Sequence, residues 1–338
     1  MYLGGFRLVL LSFKKKKIMT KHTPFALCIH GGAGVITPEN LSEADKKLIN
    51  ADLILALNAG ENILAQGGSA IDAVAAAVVE LENSIHFNAG KGAVYTRTGE
   101  HLLEASIMNG ATLEAGAVAN SRRIKNPVLF AKSLLENENI VLLAGKGADK
   151  LAEETNHEMV ENDYFDTDFR KQQLIEAQQI SETGTFLDHT NLKMGTVGAV
   201  AIDNNGNIAA ATSTGGMTNK LDGRIGDTAI IGAGTYANNK TCGVSCTGVG
   251  EYFIRGTVAS MVSNLMEYGD KTLEQATDIT VKGHLTQLGG EGGLIAIDNE
   301  GNVNFSFNSQ GMYRGYVSQK TNEKKIYIWD NEESLISE

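Results

Sequence analysis

The sequence has few prolines, few cysteines, one tryptophan and a low density of charge. Of its 338 residues, 3 are proline, 3 are cysteine and 20% are charged. Three cysteines are too few for a disulfide framework, which excludes a small disulfide-stabilised secreted domain and fits a reducing compartment. Acidic side chains outnumber basic ones by 40 to 29, so we do not expect nucleic acid as a partner.

Long apolar runs are also missing. No stretch approaches the roughly 18 to 20 continuous apolar residues that a spanning helix needs, so we expect no membrane association. The apolar run at residues 6–13 is followed by four lysines at 14–17, whereas a secretory signal has its basic segment first. We interpret residues 1–18 as a disordered leader or upstream extension, with a basic surface-binding arm as the alternative. We expect a cytoplasmic protein.

Glycine is abundant, with 38 residues and no fixed period, which indicates tight turns and close backbone approaches. An apolar run at 25–30 predicts a buried strand that enters a glycine loop at 31–34. Further elements predicted in the first half are helices over 41–66 and 70–81, a hairpin of 93–95 with 102–108, a helix from Pro127 to Leu135, a strand at 140–143, helix over 148–180 and an exposed linker at 181–193.

The second half has the pattern of β-structure. Strands at 197–202 and 208–212 flank turn residues at 203–207, and a near-copy of this hairpin occurs around residues 296–302. We interpret the two copies as two hairpins that use the same type of turn, and not as a functional repeat. Helices are predicted over 252–268 and 273–285, so the pattern favours sheets with helices on their outer faces.

Common catalytic templates are missing from the sequence. It has no phosphate-binding loop, no dinucleotide-binding glycine fingerprint and no complete nucleophile elbow. The seven histidines are scattered singly, which gives little support to a zinc site. Cys242 and Cys246 lie four apart in a predicted strand, and two small core thiols are favoured over a metal-ligand pair.

Gly195 and Thr196 lie where the predicted linker meets an apolar strand. If the bond between them were broken, Thr196 would carry a hydroxyl and a free α-amine on one residue. An α-amine titrates near ~7.7–8.0, so it can act as a base near neutral pH and activate the hydroxyl. A Gly-Thr pair at a strand start is usually structural, and that alternative stays open at this point.

Three further Gly/Thr-rich segments follow. The hairpin geometry returns Thr214 toward the start of the first strand, within reach of the Thr196 hydroxyl, although Thr214 could equally form a turn. Arg224 and Asp227 suit the carboxylate and the ammonium of an α-amino acid, or else they pair with each other on the surface. Residues 247–251 offer N–H groups and a threonine hydroxyl to an oxyanion, or they form a capped helix.

Together these segments closely resemble the plant-type (type 2) asparaginase and isoaspartyl peptidase family of N-terminal-nucleophile hydrolases. The resemblance runs from about residue 25 to about residue 315, in the order of the family. The motifs that carry it are HGGAG at 30–34, FNAG at 87–90, MGTVG at 194–198, TSTGGMTNK at 212–220, the loop 223–227, TGVGE at 247–251 and GGEGG at 289–293.

The resemblance implies an α+β fold, a four-layer αββα sandwich in which two mainly antiparallel sheets lie between helix layers. It also implies an inactive precursor that cuts itself between Gly195 and Thr196. The α subunit (19–195) and the β subunit (196–338) would then form one structural domain. Thr196 would attack the side-chain amide of asparagine or the β-peptide bond of an isoaspartyl dipeptide, and water would release L-aspartate from the acyl-enzyme.

Roles for further residues are implied by the same resemblance. Thr214 would support the nucleophile, and Asn88 would be a catalytic-site residue near it, while Thr247 and Gly248 would form the oxyanion hole and contact the substrate. No cofactor is required, but some members bind a sodium ion through backbone carbonyls. The corresponding loop here contains Leu81, Glu82, Ser84, Phe87, Ala89 and Lys91.

Substrate binding and assembly are also implied by the family. Arg224 would hold the substrate α-carboxylate, and Asp227 with Gly250 would hold its α-amine. Bacterial relatives form a dimer of cleaved αβ units. The sequence departs from the family in having glycine at 195, where many relatives have aspartate, and lysine at 91, where we expect an apolar residue.

Two alternatives remain open at the level of sequence. A glycosylasparaginase of the same fold would favour a secreted precursor with a signal and disulfides. A non-catalytic amino-acid-binding protein would keep Arg224 and Asp227 but would never cleave.

Overall fold

The computed structural model describes residues 23–180, 195–330 and 334. The expected leader at 1–18 and the expected linker at 181–193 lie outside the described residues. The helices are α1 (Glu43–Ala65), α2 (Ala70–Asn83), α3 (Pro127–Ser133), α4 (Gly145–Glu154), α5 (Asp168–Ile180), α6 (Gly250–Gly256), α7 (Val258–Gly269) and α8 (Leu273–Asp278). The strands are β1 (Ala26–Gly34), β2 (Leu103–Asn109), β3 (Ala115–Ser121), β4 (Leu142–Ala144), β5 (Val197–Ile202), β6 (Ile208–Thr214), β7 (Thr235–Ala237), β8 (Cys242–Gly248), β9 (Gly292–Asp298), β10 (Val303–Phe307), β11 (Gly311–Ser318) and β12 (Glu323–Tyr327).

The strands form two sheets. The larger has the order β12-β11-β1-β5-β6-β2-β3-β4, and the smaller has the order β10-β9-β8-β7. The β3–β4 pair is parallel and the other described pairs are antiparallel. The β5–β6 hairpin lies between β1 and β2, so strands from before and after Gly195 interleave in one sheet.

Burial on both faces of the strands places helices and sheets against one another. Along β1, Leu27 and Ile29 pack with α1 and α2, while Cys28 on the opposite face packs with Ile295 and Ile297 of the smaller sheet. Successive strand residues point to opposite faces, so this division shows that both faces are covered. The fold is therefore α+β, with helices packed on sheets as the sequence pattern favoured.

The other face of the smaller sheet is also apolar and covered. Cys242 and Cys246 of β8 pack against Phe253 and Val262 of the helices that follow. Both thiols are free and fully buried, and burial raises their pKa values, so their interpretation as core residues is confirmed.

Most predicted elements are present. α1, α2 and α3 match their predicted ranges, and a 3-10 turn extends α3 over Leu134–Glu136. The two hairpins predicted in the second half form. Asp203 Oδ1 accepts the N–H groups of Asn205 and Asn207, and Asp298 Oδ1 accepts those of Glu300 and Asn302, so one turn recipe is used twice.

Three predictions in the first half were wrong in detail. Residues 93–95 are not a strand, because β2 pairs with β3 and β6 instead. The glycines at 31–34 belong to β1 itself, which pairs with β11 across an irregularity between His30 and Gly32. The predicted helix over 148–180 is divided into α4 and α5, since Asn156 has a left-handed φ of 60° that no helix continues through.

The helices of the second half also differ from their predicted ranges. The predicted helix over 252–268 is divided at Thr257, whose φ is 46°, and the next helix changes from α8 to a π-helical segment over Ile279–Leu285. α1 has 23 residues and a mean hydropathy of 1.2 over its best window, enough by length and composition alone to cross a bilayer. Its Leu53, Leu57 and Leu64 are buried in the protein core.

Candidate active site

Thr196 lies directly before β5 and is 9% exposed. Its hydroxyl donates a hydrogen bond to Thr214 Oγ1 at 3.0 Å. The hairpin register causes this contact, since Val197 of β5 faces Ser213 of β6 and the next residues outward meet at the same end. The predicted proximity of the two hydroxyls is therefore confirmed.

Asn88 lies against the turn that follows Thr214. Its Nδ2 donates to the carbonyl of Gly216 at 2.7 Å, and its Oδ1 accepts the N–H of Val94 at 3.0 Å. Thr214 Oγ1 also accepts the N–H of Gly216 at 3.0 Å. Asn88 and Thr214 thus hold the same turn from two sides.

The Gly195–Thr196 junction packs closely against the end of β1. A carbon atom added to Gly32 would lie 2.6 Å from the Cα of Gly195, and the φ of Gly32 is 112°, so only glycine fits here without strain. Thr247 lies on another side, because a carbon added to Gly195 would be 3.2 Å from its Oγ1. Thr247 Oγ1 accepts the N–H of Ala33 at 3.3 Å.

Thr247 and Gly248 end β8, and α6 begins at Gly250. The N-cap residue of α6 is Val249, which provides no side-chain hydrogen bond to the helix. The capped-helix interpretation of residues 247–251 is therefore wrong for the Thr247 hydroxyl, which contacts the end of β1 instead.

Arg224 and Asp227 converge on Gly250. A carbon atom added to Gly250 would lie 2.9 Å from Asp227 Oδ1 and 3.0 Å from Arg224 Nη2. Arg224 donates to both carboxylate oxygens of Glu251, each at 2.9 Å. The suggestion that Arg224 and Asp227 simply pair with each other is not supported, since the bidentate partner of Arg224 is Glu251.

Asp227 is buried, and its Oδ2 has no hydrogen-bond partner among the described residues. Burial raises the pKa of Asp227 to about 7, although the Arg224 cation opposes the shift. A buried carboxyl oxygen without a donor is costly, and an ammonium group is a donor that would both pair with it and lower its pKa.

A buried chain of polar side chains runs behind the junction. His30 Nε2 contacts Ser245 Oγ at 2.9 Å, and Ser245 Oγ contacts Thr212 Oγ1 at 2.7 Å. Thr212 Oγ1 also contacts Thr235 Oγ1, which accepts a hydrogen bond from the hydroxyl of Ser106. Burial lowers the pKa of His30 to about 3, with a weaker opposing contribution from the Thr196 backbone, so the ring is neutral near pH 7.

The carbonyl loop at 81–92 has a converging set of oxygens. A carbon atom added to Gly92 would overlap the Phe87 oxygen and lie 3.0 Å from those of Ser84 and Ile85. Of the expected ligands, the backbone oxygens of Ser84 and Phe87 therefore point to one position, and the backbone oxygen of Ile85, which was not expected, points there as well. The side-chain amine of Lys91 lies 5.0 Å above the Tyr164 ring, which leaves only its carbonyl for a cation.

The remaining carbonyls of this loop are used differently. Leu81 and Ala89 accept the backbone N–H groups of Ser84 and Gly92, and the Glu82 oxygen faces Gly90. Among the described residues no group of three or more His, Cys, Asp or Glu side chains is arranged for a metal ion.

Sequence reasoning missed three charged residues at the site. Glu251 and Lys220 lie within motifs that we singled out, but no role was assigned to them. Glu104 was not considered, although a lone carboxylate in the apolar run LLEASIM is a recognisable signal. Glu104 and Lys220 are both fully buried, and they form an ion pair of 3.5 Å beneath the 224–227 loop.

A sequence profile of the asparaginase family matches residues 23–327, which include every residue of this site. The chain belongs to the asparaginase family. It is 48% identical over 297 residues to the isoaspartyl peptidase of Escherichia coli, an alignment that covers 86% of this chain and 92% of the relative.

Other relatives carry similar names. The isoaspartyl peptidase of Salmonella typhimurium is 49% identical over 296 residues, covering 86% of this chain and 94% of the relative. The probable isoaspartyl peptidase/L-asparaginase 2 of Arabidopsis thaliana is 38% identical over 330 residues, covering 90% and 99%. Similarity thus extends over nearly the whole described part of the chain.

Proposed function

We propose that the protein is a threonine amidohydrolase that cleaves isoaspartyl dipeptides and L-asparagine and releases L-aspartate. The observation that carries the proposal is the buried Thr196–Thr214 hydroxyl pair at the start of β5. It occurs in a chain whose family relatives are named isoaspartyl peptidase or L-asparaginase.

The fold supports this proposal through its packing. Helices cover the larger sheet, apolar side chains fill the space between the sheets, and further helices cover the smaller sheet. We take this order as the four-layer αββα sandwich of N-terminal-nucleophile hydrolases.

The proposed activation is a cut between Gly195 and Thr196. Thr196 Oγ1 attacks the Gly195 carbonyl carbon, and the C–N bond breaks, which leaves the Thr196 α-amine protonated and free and Gly195 attached to Oγ1 as an ester. Water then hydrolyses that ester and releases the Gly195 carboxylate and the Thr196 hydroxyl. The α and β subunits, divided at 195/196, would stay together because β5 and β6 lie between β1 and β2.

The same hydroxyl then acts on the substrate. The freed amine of Thr196 accepts the hydroxyl proton while Oγ1 attacks the side-chain carbonyl carbon of the substrate. The Thr214 hydroxyl orients Oγ1, and Thr247 with Gly248 stabilises the developing oxyanion. The leaving amine takes the proton, and water releases aspartate from the ester. Asn88 acts one step away by holding the Gly216 turn.

Recognition of the substrate head group falls to the residues around Gly250. Arg224 carries the positive charge and forked donors that suit the α-carboxylate, and the unpartnered Asp227 oxygen suits the α-ammonium. Gly250 leaves space for the ligand between them. Thr247 contacts the Gly195–Thr196 junction and lies three residues before Gly250 in the chain, so this segment links the head-group site to the nucleophile.

The carbonyl loop is proposed to hold a sodium ion, since the oxygens of Ser84, Ile85 and Phe87 converge and hard cations prefer oxygen ligands. The ion would stabilise the loop that bears Asn88. We expect a higher melting temperature in sodium chloride than in choline chloride at equal ionic strength; equal values would exclude a stabilising sodium site.

A cytoplasmic location and a dimer of cleaved αβ units complete the proposal. The location is supported by the three cysteines, which are all free and buried. Buried free thiols without disulfides also argue against the glycosylasparaginase alternative, which would be secreted and disulfide-bonded.

One experiment tests the function and separates it from the non-catalytic binder. On a denaturing gel the purified protein should give two fragments, one beginning at Thr196, in place of the 36.0 kDa chain. The fragments should hydrolyse β-aspartyl dipeptides and asparagine to aspartate. Thr196→Ala should abolish both activities, while Thr112→Ala, at an exposed threonine, should change neither. An intact and inactive wild-type chain would support the binder instead.

A further inference from the structure

A buried ion pair lies beneath the loop that bears Arg224 and Asp227. Glu104 is near the start of β2 and faces Thr214 across the β2–β6 pair. Its carboxylate lies 3.5 Å from Lys220 Nζ, and neither residue is exposed. Lys220 Nζ also donates to the carbonyl of Leu102 at 2.8 Å, so the cation is held at the residue directly before β2.

Glu104 contacts the loop directly. Both of its carboxylate oxygens accept the N–H of Gly226, at 3.2 Å and 3.0 Å. Gly226 lies between Arg224 and Asp227 in the chain, and a carbon added to Gly226 would be 2.9 Å from Arg224 Nη1. The bond from Glu104 therefore fixes the peptide that joins the two head-group side chains.

The negative charge of Glu104 has opposite effects on the two head-group side chains. The negative charge of Glu104 stabilises the Arg224 cation, and together with burial and Glu251 it raises the pKa of Asp227. Burial lowers the pKa of Lys220, while its attraction to Glu104 opposes this effect. A buried carboxylate in an apolar strand is costly, and here it is retained with a cation and a backbone donor as partners.

We propose that Glu104 is a positioning residue that sets substrate specificity by holding Arg224 and Asp227 at the spacing of an α-amino-acid head group. The proposal rests on the function proposed above. It assigns Glu104 no direct contact with substrate. Glu104 acts through the Gly226 peptide, and Lys220 neutralises the charge of Glu104.

The test compares Glu104→Gln with wild type on asparagine and on asparagine α-amide, which lacks the α-carboxylate. We expect Glu104→Gln to raise KM for asparagine by about tenfold, more than it lowers kcat, and to reduce the preference for asparagine over the amide. Glu104→Asp, which keeps the charge, should restore part of the preference. Asp149→Asn is the control, because this buried carboxylate also accepts a backbone N–H, from Arg122.

Two outcomes would overturn the proposal. One is a Glu104→Gln enzyme with wild-type preference between the two substrates. The other is a Glu104→Gln enzyme in which kcat falls and KM rises by the same factors as in Asp149→Asn. If Glu104→Gln does not fold, Glu104→Gln combined with Lys220→Met removes the unpaired cation and is measured in the same way.

Aspartate binding by calorimetry distinguishes failure of this proposal from failure of the proposed function. If wild-type protein binds aspartate but hydrolyses nothing, weaker binding by Glu104→Gln supports the positioning role while the hydrolase proposal fails. If wild type hydrolyses asparagine and the Glu104→Gln protein binds aspartate as tightly as wild type, only the positioning role fails. If wild type neither binds nor hydrolyses, both fail.

Discussion

The hydroxyl of Thr196 donates to the hydroxyl of Thr214 at 3.0 Å, across the open end of the β5–β6 hairpin. Two threonines 18 residues apart are brought together because the intervening chain forms one antiparallel pair with a short turn. Loss of either hydroxyl should therefore affect the chemical step more than the fold.

Thr214→Val removes one hydroxyl while keeping a side chain of similar shape. We expect kcat to fall by about 10–100-fold with a smaller change in KM, because Thr196 Oγ1 loses the partner that orients it. Thr214→Ser should recover most of the rate. Steady-state kinetics on asparagine checks this, and a Thr214→Val enzyme with wild-type kcat would show that the hydrogen bond has no role in catalysis.

Gly250→Ala adds one methyl group between the head-group side chains. That methyl would lie about 3 Å from Asp227 and Arg224, so we expect KM to rise roughly tenfold or more, with the chain still folded. Gly147→Ala is a matched control, because Gly147 lies in α4 with nothing within 4 Å of an added carbon. The control should be neutral or slightly stabilising. Equal KM values for both variants would remove Gly250 from the site.

Asp227→Asn should stabilise the free protein and weaken substrate binding. The pKa of Asp227 is raised to about 7, so the fold favours the neutral form and loses stability as pH rises from about 4 toward 7. The asparagine variant avoids this cost, and we expect it to be about 1–3 kcal/mol more stable at pH 8, with the difference shrinking as pH falls.

Thermal unfolding across pH 4–8 measures this difference. The exposed Asp222, five residues earlier, provides the control Asp222→Asn, which we expect to melt close to wild type at pH 8. A Tm of Asp227→Asn that stays below wild type at pH 8 would contradict the assignment of a buried Asp227 carboxylate that destabilises the free protein when it is ionised.

The pH dependence of kcat/KM should reflect the same carboxyl group. Binding of the substrate ammonium requires ionised Asp227, so kcat/KM should rise with pH through about 7. Deprotonation of the Thr196 amine, near ~7.7–8.0, adds a second rising step. In the pH profile of kcat, the step that reports Asp227 should lie at a lower pH than in kcat/KM, because the bound ammonium lowers the pKa of Asp227. A kcat/KM that is flat between pH 5 and 8 would rule out both groups.

Much of the architecture was predictable because it depends on local pattern. The two turns that begin with Asp203-Asn204 and Asp298-Asn299, the N-terminal Pro127 of α3 and the apolar spacing of α1 and α2 all act over a few residues. The predicted strand at 93–95 failed because its backbone is used by other partners, including the Asn88 side chain, which accepts the N–H of Val94.

Charged residues at the site illustrate the opposite case. Arg224 was predicted to pair with a ligand or with Asp227, yet its bidentate partner is Glu251, which lies 27 positions later in the chain. Glu104 reaches Gly226 across 122 positions. Such contacts depend on which strands become neighbours, and no periodicity in the sequence records that.

The sequence alone determined the hairpins, the long helices and the order of the glycine- and threonine-rich motifs, since these follow from turn chemistry and side-chain periodicity. Tertiary structure alone decided that the end of β1 packs on the Gly195–Thr196 bond, that Asp227 Oδ2 is buried without a donor among the described residues, and that a buried Glu104–Lys220 pair lies beneath the loop. The physical reason is that burial, and with it the pKa and the partner of each charge, is a property of the assembled sheets and not of any single segment.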